Sequence, residues 1–205
     1  LNDKKYPCIF LNIGGVSNLT LINKPDEISY CYDIGPGNGP IDLIMKNHFN
    51  LDLDLNGEKA LSGSINFKII EKILEHEWFN LSPPKSLDRN YFNSYILSCL
   101  KDIPPTDKLA TICKLLSLIL KRQLKLINIK PKLIYISGGG VHNKAIMMGM
   151  FEEFGESLKS MENNEWDSDE IEAQAFAYLA VRSFKGMPLT TNSVTGIKKD
   201  ASGGV

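Results

Sequence analysis

CIFLNIGGVSNLTLIN at residues 8–23, with CYDIGPGNGP following at residues 31–40, carries the pattern on which the fold turns. Cys8 to Ile13 is an unbroken apolar run that stops at Gly14-Gly15, and Asn18 to Asn23 resumes a strand-like run. Two such runs joined through a glycine pair predict a β-hairpin, because a tight turn needs backbone conformations that glycine enters at little steric cost. Ile28 to Asp33 is read as a third strand. It leads into Gly35-Pro36-Gly37-Asn38-Gly39-Pro40 and then an amphipathic stretch from Ile41 to Phe49, the order strand, glycine loop, helix.

Beyond Phe49 the sheet pattern pauses. Across Ile65 to Phe79 the apolar residues Ile69, Ile70, Ile73, Leu74 and Phe79 recur at helical spacing. Pro83-Pro84 ends that helix, Asp88 to Leu100 begins another, and Pro104-Pro105 ends it in turn, since proline lacks the N–H and clashes with the preceding turn. Thr106 is read as the cap of a long helix that carries Leu109, Ile112, Cys113, Leu116, Ile119, Leu120, Leu124 and Ile127 on one face. Leu133 to Ser137 is a short strand followed at once by Gly138-Gly139-Gly140 and a helix from Asn143 to Phe154, so the strand, glycine loop, helix unit recurs. Ile171 to Phe184 is apolar nearly all round and predicts a buried helix, with Asp167 and Glu170 spaced as a capping box. The economical organisation is one α/β domain over residues 1–205 with a helical insertion at 50–104.

Composition narrows the function classes. The 205 residues are 43% hydrophobic, enough for one substantial core. Basic and acidic residues number 23 and 24 and are spread along the chain, for a formal net charge of -1. No one-sided field invites nucleic acid or an anionic membrane. The most apolar window, Leu109 to Asn128, is interrupted by Lys114, Lys121 and Arg122, against the ~20 consecutive apolar residues a spanning helix needs. Cys8, Cys31, Cys99 and Cys113 form no C-x-x-C pair and fit reduced thiols in a cytoplasmic setting. His48, His76 and His142 are too dispersed for a zinc site. Leu1 to Lys5 lacks a secretory pattern and an initiator Met, and the chain is read as starting mid-protein.

Three glycine loops remain, and each has a chemical and a plain structural reading. Gly14-Gly15, flanked by Asn12 and Ser17, can bring backbone N–H groups close to a phosphate, or can serve as an ordinary turn. Asp33 precedes Gly35, Gly37 and Asn38 at a helix entrance, where the helix dipole favours an anion and Asp33 could hold Mg²⁺ through water; the same residues could simply brace a proline-glycine turn. Gly138, Gly139 and Gly140 can form a bare shelf for a flat ring, with Asn143 bonding that ring or capping the helix. None matches the Walker or G-x-G-x-x-G spacing. Their order is the informative feature.

That order, read as Leu11-Asn12-Ile13-Gly14-Gly15-Val16-Ser17-Asn18, then Asp33-Ile34-Gly35-Pro36-Gly37-Asn38, then Pro84-Lys85-Ser86 with Arg89 and Phe92-Asn93, then Gly138-Gly139-Gly140 with Asn143, then Glu172-Ala173-Gln174-Ala175-Phe176-Ala177, resembles the anhydro-N-acetylmuramic acid kinases. Val194-Thr195-Gly196 fits as well. The resemblance implies an α/β, ribonuclease H-like domain of the actin and hexokinase type, with a mixed sheet flanked by helices. It implies that the chain is the C-terminal nucleotide-binding half of a two-domain sugar kinase whose ligands are ATP, Mg²⁺ and 1,6-anhydro-N-acetylmuramic acid. Its partners would be an absent N-terminal domain and a second copy in a homodimer. On that resemblance Asn12, Gly14, Gly15 and Ser17 form a phosphate hairpin, Asp33 to Asn38 approach the phosphates and metal, Gly138 to Gly140 with Asn143 hold adenosine, and Glu172 approaches the sugar. The catalytic Asp is expected upstream of Leu1, leaving no catalytic residue in this chain. Leu87-Asp88 departs from the family's Thr-Gly before Arg89, and Lys85, Ser86 and Arg89 are read as solvated helix-start residues. The competing reading is a nucleotide-binding or interaction module that keeps the fold without the catalysis.

Overall fold

The computed structural model describes residues 5–25, 27–160, 171–190 and 197–202. The predicted hairpin is there: β1 (Cys8–Ile13) pairs antiparallel with β2 (Val16–Lys24), with Asn12 opposite Asn18. β3 (Glu27–Pro36) pairs antiparallel with β2, β4 (Leu133–Ser137) runs parallel to β1, and β5 (Leu158–Ser160) runs parallel to β4. The sheet order is β3-β2-β1-β4-β5, and a mixed five-stranded sheet of this order flanked by helices is the ribonuclease H-like arrangement. β5 has no counterpart in the sequence reading, because three residues are too few to show a period of two.

One face of the sheet makes the core. Ile9, Leu11 and Ile13 of β1, Leu19 and Leu21 of β2, and Ile134 and Ile136 of β4 are all fully buried, the alternation expected when one face is packed on helices. Against this face lie α1 (Gly39–Phe49) and the long α5 (Pro105–Leu126), whose Leu109, Ile112, Cys113, Leu116, Ile119 and Leu120 form the predicted stripe. Pro105, and not Thr106, opens α5: a proline at the first helical position gives up only an N–H that would be unpaired there anyway. α6 (Lys144–Phe154) is tied to α5 through Lys114, whose Nζ donates to Glu152 and Glu153 at 2.9 and 2.8 Å.

Residues 50–104 hold α2 (Glu58–Leu61), α3 (Phe67–Leu74), α4 (Arg89–Cys99) and 3-10 turns, with no strand. The helix expected through Phe79 stops at Leu74, because the His76 ring accepts from Trp78 N–H and starts a separate 3-10 turn, Glu77–Asn80. That turn aims Trp78 and Phe79 inward. Their rings meet Phe92 at centroid distances of 5.0 and 5.8 Å, and Phe79 also stands beside the bare Cα of Gly35 in β3. Asp88 caps α4 by accepting from Tyr91 N–H. The edge of β3 does not stay open: Asp33 N–H donates to Lys85 carbonyl oxygen at 3.1 Å, laying the proline-rich segment along it.

α7 (Ile171–Phe184) forms where predicted, but its apolar residues are not buried among the described residues: Phe176, Tyr178 and Phe184 are 66%, 61% and 93% exposed. Asp167 and Glu170 lie outside the described residues. No described helix is long and apolar enough to cross a membrane.

Phe79 joins the 3-10 turn to the sheet. Phe79→Ala should cost about 3–5 kcal/mol, lowering Tm on the order of 10 °C for a chain of this size; a calorimetric or circular dichroism melt unchanged from wild type would show that the insertion is not held this way.

Candidate functional site

The three glycine loops come together at one end of the sheet, and hydrogen bonds hold the first two. Asn38 N–H donates to Gly14 carbonyl oxygen at 2.7 Å, and the Gly37 and Gly39 N–H groups donate to Gly15 carbonyl oxygen at 3.1 and 3.2 Å. This is backbone against backbone. A β-carbon at Gly37 would lie 2.1 Å from Gly14 carbonyl oxygen, so no side chain fits there. The third loop closes on the same hairpin: Gly138 adopts φ +82°, and a β-carbon on it would lie 2.4 Å from Asn12 Oδ1 and 2.8 Å from Ile13 carbonyl oxygen. Asn38 spans the gap, with Nδ2 donating to Ile13 carbonyl oxygen at 3.4 Å beside Gly139.

Not every predicted residue faces outward. Gly35 turns its Cα to Ile119 and Phe79 in the core. Ser17 is 3% exposed, and its Oγ has no hydrogen-bond partner. Asn143 caps α6, accepting from Ala145 and Ile146 N–H through Oδ1 at 3.0 and 3.2 Å, so that oxygen already has donors. The Glu172 side chain and Val194-Thr195-Gly196 lie outside the described residues.

Two depressions open at this end. One, of about 430 Å³, runs between Asn38 and Gly139 and is walled by Ile41, Asp42, His142 and residues 52–56. That volume is within the range of small-ligand sites. Asp54 is committed inside the wall, its carboxylate accepting from Lys59 and Ala60 N–H at 2.9 Å each. Burial raises the proton affinity of Asp42, and the nearby Arg89 guanidinium opposes that rise. The wall residues 52–56 and His142 escaped the sequence reading, because nothing local in a polar stretch says which loop will fold over which.

The second depression, of about 490 Å³, lies along β3 and holds Asn18, Tyr32, Asp33, Pro84, Lys85 and Ser86. Asp33 therefore does not line the Gly139 cleft. Its Oδ2 accepts from Leu87 N–H at 2.9 Å. Register places Ser137, Asn12, Asn18 and Asp33 in one polar row across β4, β1, β2 and β3, on the sheet face opposite the helices. Lys85, set aside as solvated by sequence, is half-buried: Nζ donates to Trp78 carbonyl oxygen at 3.1 Å and sits 4.3 Å from the Trp78 ring centroid. Burial, then the Arg122 charge, lowers its pKa to about 8. Tyr32, 4% exposed, lacks a partner for its hydroxyl.

The family model described as anhydro-N-acetylmuramic acid kinase matches residues 1–205. The chain belongs to the anhydro-N-acetylmuramic acid kinase family. It is 37% identical over 204 residues to the anhydro-N-acetylmuramic acid kinase of Bradyrhizobium diazoefficiens, covering 99% of this chain and 54% of that protein. Against the enzyme of Rhodospirillum rubrum it is 37% identical over 198 residues, covering 97% and 52%. The chain thus spans about half the length of these anhydro-N-acetylmuramic acid kinases. Among solved structures, the activator of the 2-hydroxyisocaproyl-CoA dehydratase from Clostridium difficile with bound ADPNP aligns with 74% of this chain and 53% of its own, at 14% identity and a TM-score of 0.48.

The loop contacts separate two glycines that look alike in sequence. Gly37→Ala should destabilise the protein by about 1–3 kcal/mol through the overlap with Gly14, whereas Gly14→Ala, with 3.6 Å to its nearest neighbour, should unfold within about 1 kcal/mol of wild type; urea titrations giving the two variants equal midpoints would count against the docked loops. Lys85 supplies a pH signature. Between about pH 8 and its ordinary 10.5 the unfolded chain keeps a proton that the folded chain releases, so this residue's contribution to stability rises with pH through that window and is flat outside it. Wild type should therefore gain stability relative to Lys85→Met from pH 8 to 10.5 in urea unfolding, and a constant difference would show that Lys85 is solvated.

Proposed function

We propose that this chain is the nucleotide-binding portion of an ATP-dependent kinase acting on 1,6-anhydro-N-acetylmuramic acid, and that the rest of the protein supplies the facing wall of the cleft. The observation that carries the reading is the docking of the other two glycine loops on the Gly14-Gly15 hairpin, in a chain of this family. In this reading water adds at C1, the bond from C1 to O6 breaks, and O6 takes the γ-phosphoryl group of ATP, giving N-acetylmuramic acid 6-phosphate and ADP in peptidoglycan recycling. Phosphoryl transfer depends mainly on placement and charge. The adenosine end is assigned to the cleft between Asn38 and Gly139, and the sugar to the groove along β3.

The attacking water must lose a proton to a base. The sequence reading assigned that role upstream of Leu1; the geometry favours a carboxylate within the chain. Asp33 sits in the β3 groove with Oδ2 held by Leu87 N–H, so its carboxylate is oriented by the segment that carries Lys85 and Ser86. We assign the proton to Asp33. Mg²⁺ would accompany the nucleotide and neutralise phosphate charge. Among the described residues no cluster of three or more His, Cys, Asp and Glu is arranged for a resident metal, which fits an ion ligated mostly by phosphates and water. Asp33 is the residue that would reach it, if metal binding rather than proton transfer is its part.

Asp33→Asn in the whole gene product separates the two roles. As the base, its loss should lower kcat about 10²–10⁴-fold while Mg-ATP affinity, measured by calorimetry, is unchanged. A loss confined to Mg-ATP affinity would assign Asp33 to the metal, and full turnover would remove it from the mechanism.

A further inference from the structure

The docking that builds the hairpin platform also commits four of its amide donors. Gly14 N–H donates to Val16 carbonyl oxygen, and the N–H groups of Gly37, Asn38 and Gly39 donate to the carbonyls of Gly14 and Gly15. These are the amides that a glycine loop at a helix entrance normally turns toward phosphate. The adjoining cleft adds Asp42, Asp52 and Asp54, so the local field there disfavours a polyanion. A triphosphate seated at this end would gain from a side-chain cation beside its Mg²⁺.

Arg89 is placed to supply it. It opens α4 directly after the Asp88 cap, on an exposed position, and its guanidinium lies over Gly15: a β-carbon there would be 3.0 Å from Cζ, 3.2 Å from Nε and 3.3 Å from Nη2. A Cβ at Gly15 would push the guanidinium a few tenths of an ångström off the hairpin. Its charge reaches Asp42, but it forms no ion pair among the described residues. Its N–H donors are likewise uncommitted among the described residues. An arginine without a bonded partner, laid against this turn, is free to present its planar fork to two oxygens of one phosphate.

We propose that Arg89 is a nucleotide-binding residue that grips the phosphate tail at the Gly14-Gly15 hairpin, where the amides of Gly14, Gly37, Asn38 and Gly39 are already paired. This rests on the reading of the chain as a nucleotide-binding kinase portion. It assigns to Arg89 a part in phosphate recognition that the sequence reading withheld.

The test compares Arg89→Met and Arg89→Lys with wild type in the whole gene product, using calorimetric affinities for adenosine, ADP, a non-hydrolysable ATP analogue and the anhydro sugar. Arg89→Met should weaken the ATP analogue and ADP at least about tenfold, the scale of a lost charge-assisted bond, and leave adenosine unchanged. Arg89→Lys should recover part of the loss, since it restores charge without the fork. Equal affinity of wild type and Arg89→Met for the ATP analogue overturns the proposal, as does an equal loss of adenosine, which would mean a structural role. A loss confined to the anhydro sugar overturns it as well, by moving the guanidinium to the sugar's carboxylate. Wild type that binds no nucleotide at all removes the functional reading, and this proposal with it.

Discussion

The carbonyl oxygens of Gly14 and Gly15 accept the N–H groups of Gly37, Asn38 and Gly39, and the geometry of the whole site follows from that exchange. Two turns separated by β2 and β3 are joined here backbone to backbone, and at Gly37 the approach leaves no room for a Cβ. The joint in turn fixes where α1 begins. It also explains why Gly138 must take φ +82°: the third loop has to descend onto Asn12 and Ile13, the last two residues of β1, from the parallel neighbour strand. A hydrogen-bonded platform of this kind has few soft torsions left, so the three loops hold one arrangement.

The platform divides charge between its two sides. Toward Gly139 the wall is acidic, with Asp54 tied into the start of α2 and Asp42 raised in proton affinity by burial. Such a surface offers acceptors to the neutral nucleoside hydroxyls and amines and repels phosphate. Toward β3 the wall carries Lys85, held between Trp78 and Tyr32, beside the Asp33 carboxylate. Arg89 stands between the two over Gly15. A nucleotide lying across the platform from the acidic side to the basic side would match this gradient along its own length.

The insertion is the device that gives the β3 side its chemistry. Lys85 to Leu87 runs along the edge of β3 as a short pairing segment, and that pairing sets both the Lys85 side chain and the donor to Asp33. The aromatic contacts of Trp78, Phe79 and Phe92 hold the segment from behind. Residues more than 50 positions apart in the chain thus become neighbours in one groove, and the edge of the sheet is closed by the same contact.

The alternation of apolar residues in β1, β2 and β4, the one-faced stripe of α5 and the three glycine loops were all determined by the amino-acid sequence, because a period of two, a period near 3.6 and a missing Cβ act within a few residues. Local chemistry also offered Asn143 as a helix cap or a ring-binding residue and placed a helix start at Asp88. Tertiary structure alone decided what each glycine meets: Gly35 and Gly37 are two residues apart, yet one meets Ile119 and the other a carbonyl. It decided that Asp33 and Gly139 line different depressions, that Lys85 is desolvated, and that Arg89 rests on Gly15. Each of these depends on a contact between distant segments, whose energy comes from surface buried and donors satisfied across the fold, and no short window of residues contains both partners.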